Sequence, residues 1–185
     1  MIWNWLFHRK SVREILKQVA KLLPLKDFEF NRYTSPAVRG DYFGFRITLE
    51  GASKKGLPTK AKGFRFLATI DLPQAIEPRV FLSHEKRKTS FKPVANLKLV
   101  TANHARFNQN FLLLASNEKK AAHVFQPYLC GKVTALAAND WQLDVHDETA
   151  HFELWQPTLN AHHLCEVLKV VGEVLNALLV ATATV

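Results

Sequence analysis

Two cysteines in 185 residues, Cys130 and Cys165, make neither a disulfide framework nor a paired-cysteine metal spacing. Both fall in helical patterns, where a free cysteine is most often a small buried hydrophobe. No stretch reaches the roughly 20 apolar residues that a transmembrane helix needs. The short apolar start is followed by basic residues and not by a long apolar core, so it does not read as a signal peptide, and a cytoplasmic protein is expected. His-Glu-x-x-His and Gly-x-Ser-x-Gly are both missing, which removes the local signatures of a zinc protease and of a serine-hydrolase elbow. Gly51-Ala-Ser-Lys-Lys-Gly56 has the outer spacing of a phosphate loop, but Leu57-Pro58 stands where lysine and a hydroxyl must be, so it is not one.

Acidic residues are scarce over most of the chain. Residues 1–139 hold 24 Lys and Arg against nine acids, a balance of +15, whereas 140–185 hold one lysine, Lys169, against seven acids, a balance of −6. Such a split suits a polyanionic partner for the basic part, or neutralisation of one part of the fold by the other. A chain of this length buries roughly 70% of its unfolded surface and needs no metal or disulfide to hold a core.

Periodicity supplies the architecture. Val12, Ile15, Leu16, Val19, Leu22 and Leu23 recur on one face of a helix, with Arg9, Arg13, Lys17 and Lys21 in a row at i, i+4. Strict alternation marks strands at Phe43–Glu50, Phe64–Leu72, Trp141–Val145 and Ala150–Trp155; shorter runs lie at Phe28–Phe30, Arg79–Ser83, Leu97–Val100 and Phe111–Ala115. If Asp147-Glu148 is the turn, Trp141 faces Leu154, Leu143 faces Phe152 and Val145 faces Ala150, while Gln142 faces Glu153, Asp144 faces His151 and His146 faces Thr149. That register sorts apolar from polar on both strands, and a one-residue slip would destroy the sorting. It predicts a large penalty for Leu143→Asp and a small one for Asp144→Ala. Ser116 or Asn117 caps a helix, and Pro157-Thr158 opens the last one, with Leu164, Val167, Leu168, Val171, Val174, Leu175 and Leu178 on its apolar stripe. The expected fold is α+β: a mainly antiparallel sheet of about six to eight strands with helices near 9–23, 117–137 and 159–180 packed mostly on one face. Residues 1–24 form an N-terminal amphipathic helical segment and 25–185 a single domain.

Candidate chemistry is sparse. His146, His151, His162, His163 and Cys165 lie close in sequence, and His162 with Glu166 shares a helical face at i, i+4, but no metal-ligand spacing is complete. No catalytic, cofactor-binding or metal residue and no cofactor is therefore assigned. The positive signal is cationic. Trp3, Trp5 and Phe7 precede Arg9, Lys10, Arg13, Lys17 and Lys21, a composition suited to an anionic membrane interface. The ordinary alternative is a surface helix with its apolar stripe on the domain. Lys54, Lys55, Lys60, Lys62 and Arg65, with Lys86, Arg87, Lys88 and Lys92, lie near Phe64, Phe66 and Phe91, as in surfaces that bind single-stranded nucleic acid. Solvated loops are the plainer explanation.

Phe107-Asn-Gln-Asn-Phe111, with Ser116, Ala121 or Ala122 and Pro127 after it, resembles a family of uncharacterised bacterial proteins in which a Phe-x-x-x-Phe strand entry leads into helix, proline break, hairpin and final helix. Gly40-Asp41-Tyr42-Phe43-Gly44, with a second strand from Gly63, is similar to that family's upstream half. Asn117-Glu118-Lys119-Lys120 departs from the acidic and arginine residues expected after the strand. The resemblance implies an α+β fold and carries over no activity and no site residue. The chain reads first as a non-enzymatic binding or regulatory module, peripheral to a membrane through its N-terminal helix, whose partner is an anionic surface or a protein; homo-oligomerisation stays open. The alternatives are nucleic-acid binding through 51–65 and 85–93, or an enzyme whose site forms only in the fold, around His146, His151 and His162.

Overall fold

The computed structural model describes residues 2–23, 25–31, 36–52, 64–84, 96–137, 140–156, 158 and 160–183; for 2–10, 26–31, 52 and 156 the description is of the backbone alone. The elements run α1 (Ile2–Leu22), β1 (Lys26–Asn31), β2 (Ala37–Tyr42), β3 (Phe45–Ala52), β4 (Phe64–Asp71), β5 (Val80–His84), β6 (Lys98–Leu99), α2 (Ala105–Asn110), β7 (Phe111–Ala115), α3 (Glu118–Val124), α4 (Pro127–Ala135), β8 (Asp140–His146), β9 (Thr149–Gln156) and α5 (Ala161–Ala183). The strands form one sheet in the order β1-β2-β3-β4-β9-β8-β5-β7-β6, with every neighbouring pair antiparallel. The architecture is α+β, as the alternating runs predict.

Period-two alternation divides the sheet residues between two faces. Ile47, Leu49, Phe66, Ala68, Ile70, Val80, Leu82, Leu113, Trp141, Leu143, Val145, Phe152 and Leu154 are buried on one of them. The helices cover that face as a single layer: α1 lies on β2 and β3 and against α5, α5 meets α3 and α4, and α2 bridges α4 and β7. Phe107, one helical turn before Phe111, stacks on it with ring centroids 5.5 Å apart, and Phe111 lies 5.5 Å from Trp141. The Phe-x-x-x-Phe spacing thus places two rings in one aromatic core.

Four details differ from the sequence expectation. Among the described residues the sheet has nine strands, the extra one being β2, where Arg39, Gly40 and Asp41 obscure the apolar alternation. The helix expected over 117–137 is two, because Pro127 lacks the N–H that a continuous helix would need and sits instead at the start of α4. The last helix opens at Ala161 and not at Pro157-Thr158: the Asn160 side chain accepts from His163 N–H at 3.0 Å. A short helix, α2, precedes β7, capped by His104 Nδ1, which accepts from Phe107 N–H at 3.1 Å. Asn117 caps α3 through Lys120 N–H at 3.1 Å, one of the two positions that the sequence offers.

The stripe Val12, Leu16, Val19 and Leu23 is buried in the same core as the sheet, so these side chains tie the N-terminal segment to the domain. Its closest approach is at Gly51, where an added Cβ would overlap Val12 Cγ1. Gly51→Ala should therefore cost about 1–3 kcal/mol by forcing α1 off the sheet. Chemical denaturation checks this, and Val12→Ala combined with Gly51→Ala should cost less than the two single losses together. Strict additivity would mean that α1 does not rest on β3. Midway along α5, Gly172 leaves room for Phe43, whose ring would stand 2.8 Å from an added Cβ.

Candidate functional site

The second face of the sheet carries no helix among the described residues. Its central side chains are polar yet buried: Gln142, Asp144, Glu153 and Ser83 are all under a tenth exposed. Alternation places them there, since Glu153 faces Leu67 on β4 and Gln142 on β8, and Gln142 faces Ser83 on β5. Glu153 is the hub. Arg65 donates to its two carboxylate oxygens from Nε at 2.7 Å and Nη2 at 2.9 Å, Gln142 Nε2 donates at 3.0 Å, and Trp155 Nε1 donates as well. The Arg65 guanidinium also lies over the Trp155 ring, 5.4 Å from its centroid. A planar fork that grips a carboxylate and stacks on an indole is a task for arginine and not lysine.

One row further along, Arg79 Nη2 stands 3.5 Å from Asp144 Oδ2, while Asp144 Oδ1 and Gln142 Oε1 are buried without a hydrogen-bond partner. The expectation that Asp144 is a solvated position, cheap to replace, is thus corrected: the residue is 8% exposed and paired with Arg79. Beside it, His146 and His151 are diagonal cross-strand neighbours whose rings lie 5.4 Å apart. His162 and His163 belong to α5 in the helical layer, across the sheet, so they do not join this pair.

The positions read as an anionic-surface contact divide as follows. Trp3, Trp5, Arg9 and Lys10 lie on α1 where only the backbone is described. Arg13 is half-buried, Lys17 bonds Glu14 at 2.9 Å, and Lys21 is exposed. Lys54, Lys55, Lys60, Lys86, Arg87 and Lys88 lie outside the described residues, as do Lys62, Phe91 and Lys92. Phe66 is fully buried in the core, which removes one of the rings offered for base stacking. The strand ends that flank these stretches do share a place. Ala52 pairs Arg65, Arg65 pairs Trp155, Asp140 pairs Trp155 and His84 pairs Phe111, all at one end of the sheet. α1 meets β3 at Gly51, at that same end, and β1, the next element, starts at Lys26 beside Asp41, at the opposite end.

Other chemistry is muted. Burial pushes the thiols of Cys130 and Cys165 up to about 11, so neither is a ready thiolate. Among the described residues, no group of three or more His, Cys, Asp or Glu side chains is placed to hold a metal ion. A small apolar void lined by Tyr42, Phe45, Ile47, Leu168 and Gly172 lies between α5 and the sheet; at about 10 Å³ it has room for no more than one water. No described helix is long and apolar enough to cross a membrane.

The fold is that of a nine-stranded antiparallel sheet with helices on one face. It is shared with the crystal structure of the mycobacterial trehalose monomycolate transport factor A, TtfA, at a TM-score of 0.59 over 92% of this chain and 97% of that one, with 12% sequence identity. At that identity the likeness is one of architecture. No protein-family model matches the chain. No curated protein matches it either.

Proposed function

We propose that the protein is a non-enzymatic binding module that docks reversibly on an anionic membrane surface through the N-terminal half of α1. The observation that carries this reading is the make-up of the first residues of α1, where Trp3, Trp5 and Phe7 directly precede Arg9 and Lys10 on one helix. From Val12 onward the apolar stripe is used by the core. Ahead of it the same uninterrupted helix runs back to Ile2. At 1.5 Å per residue, those ten residues add about 15 Å of helix ahead of Val12. Ile2, Trp3, Trp5, Leu6 and Phe7, followed by Arg9 and Lys10, lie on that extension.

The electrostatics add to this. The strand ends next to the basic stretches 53–63 and 85–95, Ala52, Phe64 and His84, lie at the end of the sheet where α1 meets Gly51. Each cation near an anionic bilayer contributes about 1 kcal/mol, and aromatic insertion supplies a second, salt-insensitive contribution. The fold neighbour is a transport factor, which accords with a binding role. The layout shared with the uncharacterised bacterial family stays part of this proposal and lends it no activity.

Co-sedimentation tests it. Vesicles containing anionic lipid should pull down the full chain at low salt and less of it at high salt, and uncharged vesicles should not. Deleting residues 1–10 should abolish binding without moving the thermal midpoint. A chain that stays in the supernatant with anionic vesicles at low salt overturns the membrane reading. A deletion that collapses the fold would assign the segment to the core.

A further inference from the structure

The geometry points to a divalent transition-metal site on the helix-free face, at the closed end of the β8–β9 hairpin, with His146 and His151 as its ligands and zinc as the best-fitting ion. Two imidazoles bound to one tetrahedral zinc, at Zn–N distances of about 2.0–2.1 Å, set their ring centroids roughly 5 Å apart. The observed separation is 5.4 Å, with the ring planes 44° apart. A rigid frame holds the pair at that distance. His146 faces Thr149 and His151 faces Asp144 in a continuous ladder, and the hairpin closes through Asp147 at φ 51°. The turn is pinned in place by Leu72 N–H to Glu148 O and Ile76 N–H to Asp147 O, both at 2.9 Å.

Asp144 is the third protein ligand. It lies directly across from His151 and two residues before His146, on the same face. One of its carboxylate oxygens is buried with no partner, and the other makes only a 3.5 Å contact with Arg79. An ion would satisfy the orphaned oxygen, which otherwise carries a desolvation cost. Three side chains do not meet at one point in the present rotamers. The imidazoles already stand at the right separation, and turning the Asp144 carboxylate toward them completes a two-histidine, one-carboxylate set with a position left for solvent.

The surroundings favour a cation. Asp147 Oδ2 lies 3.6 Å from His146 Nδ1 and adds negative charge beside the pair. Glu148 and Asp71 add carboxylates at the same end, with Asp71 facing Thr149, and Arg79 is the opposing charge. His146 is 30% exposed at its side chain and His151 is an exposed residue, so an ion has access.

The experiment uses the untagged full chain, dialysed against zinc and analysed for bound metal, with thermal melts in parallel. One zinc per chain is expected, with a melting temperature that rises on loading and falls back with chelator. His146→Ala and His151→Ala should each weaken binding by more than about 100-fold, Asp144→Asn by at least about tenfold, and His162→Ala not at all. Cobalt(II) in place of zinc should give the intense visible absorption of a tetrahedral site. Substoichiometric metal, or binding that survives both histidine variants, overturns the proposal; unchanged affinity in Asp144→Asn removes Asp144 from the ligand set. Melts of the metal-free variants, which change exposed or half-exposed histidines, show whether each is folded before its affinity is read.

Discussion

Leu143→Asp should leave the protein unfolded or nearly so at room temperature. Leu143 has no exposed surface. It sits at the middle of the sheet, opposite Leu82 on β5 and Phe152 on β9. A carboxylate there has no partner and no water, so it must either ionise in an apolar site or stay protonated far above its ordinary pKa, at a cost of several kcal/mol. Truncation to alanine removes the side chain without adding a charge and should cost about 2–5 kcal/mol. Domains of this kind have about 5–15 kcal/mol to lose. Urea midpoints for the two variants check the order: the aspartate must fall well below the alanine. Equal and small losses would mean that Leu143 does not face the core and that the hairpin register is wrong.

Glu153→Ala should be the most damaging single change on the opposite face. It removes the acceptor for Arg65, Gln142 and Trp155 at once. Breaking an enclosed pair by deleting one partner typically costs 3–5 kcal/mol. Arg65 keeps 28% of its side-chain surface, so solvent recovers part of that loss and about 3 kcal/mol is the expected figure. Arg65→Ala strands the more deeply buried carboxylate and should cost at least as much. The double variant should cost less than the sum of the two, a coupling that denaturant unfolding of the four proteins measures. Additive losses would show that the guanidinium and the carboxylate act independently.

The β8–β9 register was legible because six consecutive pairs alternate cleanly, and all six match the observed ladder. β2 was hidden for the opposite reason: Arg39, Gly40 and Asp41 break the apolar rhythm, and its strand character comes from pairing with β1 and β3. The same alternation misleads on the polar face. It marks Gln142, Asp144 and Glu153 as outward-facing, which they are, but outward does not mean wet when Arg65 on β4 pairs with Glu153 and Arg79, just ahead of β5, with Asp144. Arg65 is 88 residues from Glu153 and Arg79 is 65 from Asp144, separations that no local pattern reveals. The His146–His151 proximity follows from the register alone, since diagonal neighbours on one face must approach. Only the side-chain geometry gives the ring separation on which a metal site depends. The basic row on α1 looked uniform in sequence, yet Lys17 is engaged with Glu14 and Arg13 is half-buried, so its outward charge is smaller than the count of cations suggests.

Quenching of tryptophan fluorescence by lipids brominated along their acyl chains tests the docking claim most directly. Trp141 is buried, whereas Trp155 is half-buried at the same end of the sheet as Gly51, so the contribution of Trp3 and Trp5 is read as the difference between the full chain and a variant lacking both. With brominated anionic vesicles, the full chain should lose a large part of its emission at low salt. Trp3→Phe with Trp5→Phe should bind the same vesicles with no such loss, because Phe keeps the apolar contact and removes the reporter. Emission from the full chain that stays unquenched on vesicles it demonstrably binds would contradict the account, since the N-terminal half of α1 would then not be the inserted element.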